Sequence, residues 1–155
     1  RFTGIDAHAA SLQEAQRHAI REGVDARVLF EEAGATGYGG GPYDLVCFFD
    51  SLHDMGDPVA AARHAASLLA PDGVVVLIEP FAHDRVERNL TPIGRMYYAA
   101  SAMVCCAHAI SEGGRLVLGA QAGEARLTGV LRKAGFTRIR RAAETPFNVI
   151  LDVRL

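Results

Sequence analysis

Apolar residues run unbroken from Leu45 to Phe49 and again from Val74 to Ile78, and an acid follows each run at once, Asp50 after the first and Glu79 after the second. Continuous runs of this length suit strands buried on both faces of a parallel sheet. Between them, Pro58 opens an alanine-rich segment that predicts a helix to Leu69, and Pro71-Asp72-Gly73 turns the chain into the second strand. Asp50, His53, Asp54 and Asp57 follow the first strand directly. In open α/β sheets ligands bind beyond the carboxyl ends of the strands. Two successive strands therefore bring ionisable groups to one edge.

The same reading extends to both sides. Phe2 to Ile5 predicts a strand ending at Asp6, Ser11 to Arg21 a helix closed by Gly23, and Ala26 to Phe30 a further strand. Gly34 to Pro42 is a glycine-rich loop. Phe81 to Pro92 is a long polar connection, suited to covering a substrate, and leads into a helical segment from Gly94 to Ile110. Glu124 to Ala134 predicts an amphipathic helix, and Phe136 to Ala142 and Asn148 to Leu155 alternate like a pair of antiparallel strands. The order is that of an α/β fold with a mostly parallel sheet, helices on both faces and a C-terminal antiparallel hairpin.

Composition narrows the partners. With 155 residues, half of them hydrophobic, the chain suits one domain around one core. A formal net charge of −2 and the lack of a clustered basic face argue against nucleic acid as a ligand of this domain. Arg138, Arg140 and Arg141 read as a solvated strand edge. Cys47, inside a strand, and Cys105-Cys106, in an apolar helix, have no chelating spacing and are expected as buried reduced thiols. His8, His18, His64, His83 and His108 are scattered, and no metal is expected. No signal-peptide pattern occurs and no apolar run approaches ~20 residues. A cytoplasmic location without membrane contact is the expectation.

The motifs F-x-G-I-D, Y-D-L-V-x-F-F-D-x-L-H-D-M-G-D-P, L-x-P-D-G followed by E-P, and A-G-F-T with E-T-P-F-N occur in that order. In this succession the chain resembles the class I S-adenosylmethionine-dependent methyltransferases, most of all an actinobacterial branch that carries an N-terminal winged-helix domain. The resemblance implies a Rossmann-like sheet, S-adenosylmethionine as cofactor and a small-molecule methyl acceptor. It also implies that Phe2 to Asp6 is the second strand of the family fold. The family's first strand, with its D-x-G-x-G loop, then has no counterpart here, and residues 1–155 form a partial domain, inactive alone.

The resemblance assigns residues as well. Asp6 matches the acid that accepts hydrogen bonds from the ribose hydroxyls, although an acid at a helix start is also favoured by the helix dipole. Ala35, in a Gly34-Ala35 pair where the family often has Asp-Ala, offers its backbone amide to adenine, and Phe49 and Asp50 flank the cofactor. Phe49 could equally be core. His53-Asp54 matches a pair that supplies a general base, with Glu79 or Glu124 orienting the ring. Packing of His53 against adenine, capping of a helix by Asp54 and a helix-start role for Glu124 stay open beside these roles. Met96, Tyr97 and Tyr98 suit an acceptor pocket or ordinary core, and Arg95 a substrate anion or solvent.

Two functions of different class follow. One is methyl transfer to a small molecule, with oxygen favoured through His53 and Glu79. The other is a non-catalytic α/β module that has lost cofactor binding and serves in interaction or homodimer formation through the Met96 to Ile110 helix.

Overall fold

The computed structural model describes residues 1–155, which divide into two compact units, Arg1–Gly40 and Gly41–Leu155. The first holds β1 (Phe2–Asp6), α1 (Ala9–Arg21) and β2 (Val28–Glu32), with β1 and β2 parallel and Asp6 opposite Glu32 at their carboxyl ends. Gly23 follows α1 at φ 66°, a left-handed conformation that costs glycine nothing and ends the helix.

The second unit is built on β3 (Tyr43–Phe49), β4 (Leu69–Pro80), β5 (Arg138–Glu144) and β6 (Asn148–Arg154), in the order β3-β4-β6-β5. β3 and β4 are parallel, whereas β6 runs antiparallel to both β4 and β5, so this sheet is mixed. The C-terminal hairpin is present. β1 pairs with β2 alone and β3 with β4 alone, leaving two separate sheets.

Period-two burial identifies the core side of this sheet. Val75, Leu77 and Glu79 of β4 face inward opposite Val153, Leu151 and Val149 of β6 in the antiparallel register. α2 (Pro58–Ser67) packs on β4 and on α5 (Glu124–Ala134). Their buried positions, 58, 61, 62 and 65 in α2 and 127, 130, 131 and 134 in α5, repeat at helical spacing and form one apolar stripe per helix. Asp57 caps α2 by accepting from the Ala60 amide at 2.8 Å, and Pro58 sits at its first position.

Three expectations need correction here. β3 is not buried on both faces: as the outer strand it covers only Phe48 fully, and Leu45, Cys47 and Phe49 on the alternate face are exposed. Cys47 is therefore not a core thiol. Nor does Pro71-Asp72-Gly73 stand as a turn before β4, because Leu69 already pairs with Tyr43 and Val74 with Leu45, so the intervening residues bulge within the strand. The long segment after β4 contains one 3₁₀ turn, Val86–Asn89, before α3 (Pro92–Ala100) and α4 (Cys106–Ser111), joined through a π turn at Ser101–Cys105. No helix is long and apolar enough to cross a membrane.

Candidate active site

Glu79 continues the inward row of Val75 and Leu77, so a carboxylate stands where the strand pattern calls for an apolar side chain. It is 1% exposed. A buried charge is costly unless hydrogen bonds replace its lost hydration. The turn after β3 supplies them. Leu52 N donates to Glu79 Oε1 at 2.9 Å, and His53 Nδ1 bonds to Oε2. Because an ionised carboxylate only accepts, Nδ1 is the protonated nitrogen of this pair.

The chain reaches this turn through Asp50, whose φ of 46° is left-handed, a conformation that Asp tolerates better than most residues. Asp50 N still bonds to Ile78 O at 2.8 Å, extending the β3–β4 ladder by one residue, and its Oδ1 accepts from Asn148 Nδ2 at 2.8 Å. The 3₁₀ turn Leu52–Asp54 follows and buries Leu52 and His53. His53 O is fixed from the other side by Gly119 N at 3.2 Å. The imidazole is thus anchored at its backbone and at Nδ1.

Nε2 of His53 faces Asp54 Oδ1 at 3.0 Å, yet that oxygen is buried without a hydrogen bond of proper geometry. With Nδ1 on Glu79, Nε2 is the ring nitrogen that faces Asp54. Burial alone would lower the His53 pKa, but the Glu79 hydrogen bond and the charges of Glu79, Asp54 and Asp50 outweigh it and hold it above the ordinary 6.5. Beside Asp54 lies Cys105, whose thiol is pushed up to about 12 by burial and by the Asp54 hydrogen bond and charge. One donor atom each of His53, Asp54 and Cys105 lies within 4.8 Å of the others. Tyr97 donates from its hydroxyl to Phe147 O at 3.0 Å, and burial and the Asp50 charge raise its pKa.

The structure brings His53, Asp54 and Glu79 together but sends Glu124 elsewhere. Glu124 begins α5 and accepts from Arg141 Nε at 2.7 Å, while Arg141 also pairs with Glu144. The helix capped near Pro58 takes Asp57, not Asp54. Phe49 is 70% exposed at the end of β3 and is not core. Arg95 and Met96 are exposed.

In the first unit, Asp6 is exposed at the end of β1 and accepts from His8 N at 2.8 Å. Ala35 lies in a turn after β2 closed by Gly37 N to Gly34 O at 2.9 Å, at the same end of the two-stranded sheet. An exposed two-oxygen acceptor at a strand end suits a vicinal diol, the group that the ribose of a nucleoside cofactor presents. The sequence carried no sign of Cys105 or Asn148 at this site: both lie far along the chain from His53, and only the fold brings them near it.

A family model described as a methyltransferase domain matches residues 1–116. The 27-O-demethylrifamycin SV methyltransferase of Amycolatopsis mediterranei (strain S699) is 36% identical over 77 residues, which are 48% of this chain and 28% of that protein. Among solved structures, mitomycin 7-O-methyltransferase MmcR superposes with a TM-score of 0.73 at 18% identity, over 99% of this chain and 41% of that one. An O-methyltransferase family protein from Burkholderia thailandensis gives 0.70 at 20%, over 99% and 42%. NcsB1, an O-methyltransferase from neocarzinostatin biosynthesis solved with S-adenosyl-L-homocysteine and 1,4-dihydroxy-2-naphthoic acid, gives 0.70 at 19%, over 98% and 41%. The chain spans less than half the length of each of these proteins. It belongs to the methyltransferase-domain family.

Proposed function

We propose that this member of the methyltransferase-domain family serves, within its whole protein, to transfer a methyl group from S-adenosylmethionine to an oxygen of a small molecule, with His53 as general base. The observation that carries the reading is the buried pair of His53 and Glu79. Bound S-adenosylmethionine supplies an electrophilic methyl group on a sulfonium centre. The acceptor hydroxyl gives its proton to His53 Nε2 as its oxygen attacks, and Glu79 stabilises the imidazolium through Nδ1. Asp54, on the Nε2 side, adds negative charge that favours the same protonated state. Alignment of acceptor and donor supplies much of the rate besides the base.

Cofactor contacts are part of the proposal: Asp6 for the ribose hydroxyls, the Ala35 amide for adenine, and Phe49 and Asp50 beside the cofactor. Glu124 is assigned to Arg141 and the start of α5 and is left out of the chemistry. Residues 1–155 are read as part of a class I domain, so the activity proposed is that of the whole protein. The cytoplasm is the proposed location.

Calorimetry with S-adenosylhomocysteine on the whole protein, followed by transfer from methyl-labelled S-adenosylmethionine to hydroxylated aromatic acceptors, tests this. Cofactor binding and label on acceptor oxygen are expected. No cofactor binding by the whole protein would leave the interaction-module reading in its place.

One observation favours a binding role beside the catalytic one. Met103 is 80% exposed, with Met96, Val104 and Ile110 also exposed along the same helical stretch, and a second copy of the chain is the proposed occupant. Sedimentation of the wild type against Met103→Glu measures it, a dimer that dissociates in the variant being the expected result.

A further inference from the structure

The π turn at Ser101–Cys105 meets the chain segment that leads into α5. Gly119, at φ 70°, presses against it so closely that a Cβ there would lie 2.3 Å from Ser101 Oγ and 2.8 Å from Cys106 Sγ, and the next amide, Ala120 N, donates to Ser101 Oγ at 3.0 Å. Inserted turns of this kind re-aim side chains and occur often at functional sites. Here Cys105 is turned inward to 7% exposure while its neighbours Met103 and Val104 face solvent.

The inward thiol meets two further donors of different chemistry, an imidazole nitrogen of His53 and a carboxylate oxygen of Asp54, all within 4.8 Å of one another. Tetrahedral zinc with bonds of 2.0–2.3 Å sets its ligands about 3.5 Å apart, so His53 Nε2 and Asp54 Oδ1, 3.0 Å apart, need to open slightly while the widest separation closes by roughly 1 Å. His53 is already presented as metal-binding histidines are, with one ring nitrogen held by a carboxylate, Glu79, and the other turned to Asp54, the second ligand of the set. Asp54 Oδ1 is a buried oxygen without a hydrogen bond of proper geometry, and the rest of that side chain, a third exposed, leaves a way in from solvent.

We propose that His53 Nε2, the Asp54 carboxylate and Cys105 Sγ bind a thiophilic divalent cation, zinc above all, with Glu79 behind His53 and a fourth position left to water. Cys105 binds as thiolate and releases its proton to solvent, and any His53 carrying a second proton releases that one too. Affinity therefore rises with pH. The ion occupies the Nε2 lone pair that proton abstraction uses, so it inhibits methyl transfer in competition with the acceptor. That last consequence rests on His53 being the base, whereas binding itself does not.

The test uses the chain under reducing conditions without cofactor or acceptor, so that failure of the base reading does not touch it. Titration with cobalt(II) is expected to give a thiolate-to-cobalt absorption saturating at one equivalent and abolished by added zinc. The band should survive Cys47→Ser and Cys106→Ser, vanish in Cys105→Ser and require at least ~10-fold more cobalt in His53→Ala. Should Cys105→Ser fail to fold, X-ray absorption of the zinc-loaded wild type gives the answer: one sulfur with nitrogen and oxygen neighbours is expected. A shell without sulfur, no thiolate band, or a band that persists in folded Cys105→Ser overturns the proposal.

Discussion

Glu79 and His53 are joined at the carboxyl ends of adjacent parallel strands, with Nδ1 of the histidine on one carboxylate oxygen and the amide of Leu52 on the other at 2.9 Å. The carboxylate occupies a core position, so its hydrogen bonds determine both whether the site is stable and which nitrogen of His53 is turned to Asp54.

Removing that carboxylate should destabilise the fold. Glu79→Ala leaves the Leu52 amide and the imidazole without their partner, and breaking a buried pair from one side costs about 3–5 kcal/mol. Urea unfolding of wild type and variant measures it.

The raised His53 pKa gives stability a definite pH dependence. A pKa higher in the folded state than its unfolded value of 6.5 means that the folded chain binds the proton more tightly. This contribution is fully present below 6.5 and is lost as pH rises through the folded value. Melting temperatures of the wild type should accordingly fall above pH 6.5 relative to those of His53→Gln.

The same shift should appear in the imidazole itself. A ¹⁵N nuclear magnetic resonance titration of His53 is expected to give a midpoint above 6.5, moving to lower pH in Glu79→Gln, where the charge is lost. Methyl transfer needs neutral imidazole and should rise with pH through the corresponding midpoint in the whole protein.

Gly119→Ala joins two penalties, a left-handed φ of 70° and a methyl group 2.3 Å from Ser101 Oγ. Such strain costs about 1–3 kcal/mol. The Gly119 amide also holds His53 O, so a lower melting temperature with a displaced His53 resonance is the expected pair of results.

Much of this was legible in the chain. The apolar runs before Asp50 and Glu79 marked two parallel strands with a helix between them, because strand and helix periods leave distinct patterns. For His53 the sequence left two carboxylate partners, Glu79 and Glu124, and the fold joins it to Glu79. Exposure of Leu45, Cys47 and Phe49 did not follow, since a continuous apolar run reads alike whether one face is covered or two. Glu124 illustrates the opposite limit: it starts helix α5 while its partner Arg141 lies on β5, and nothing local in either segment selects that contact. Cys105 is placed by a π turn packed against Gly119, a register change without a sequence pattern of its own.

The most direct test of His53 as base compares His53→Gln with the wild type in the whole protein, reading the single-turnover rate of methyl transfer and the affinity for S-adenosylhomocysteine together. A general base contributes about 10²–10⁴-fold, so the rate should fall by that factor while cofactor affinity stays unchanged. An undiminished rate, or a loss explained wholly by weaker cofactor binding, would contradict the account.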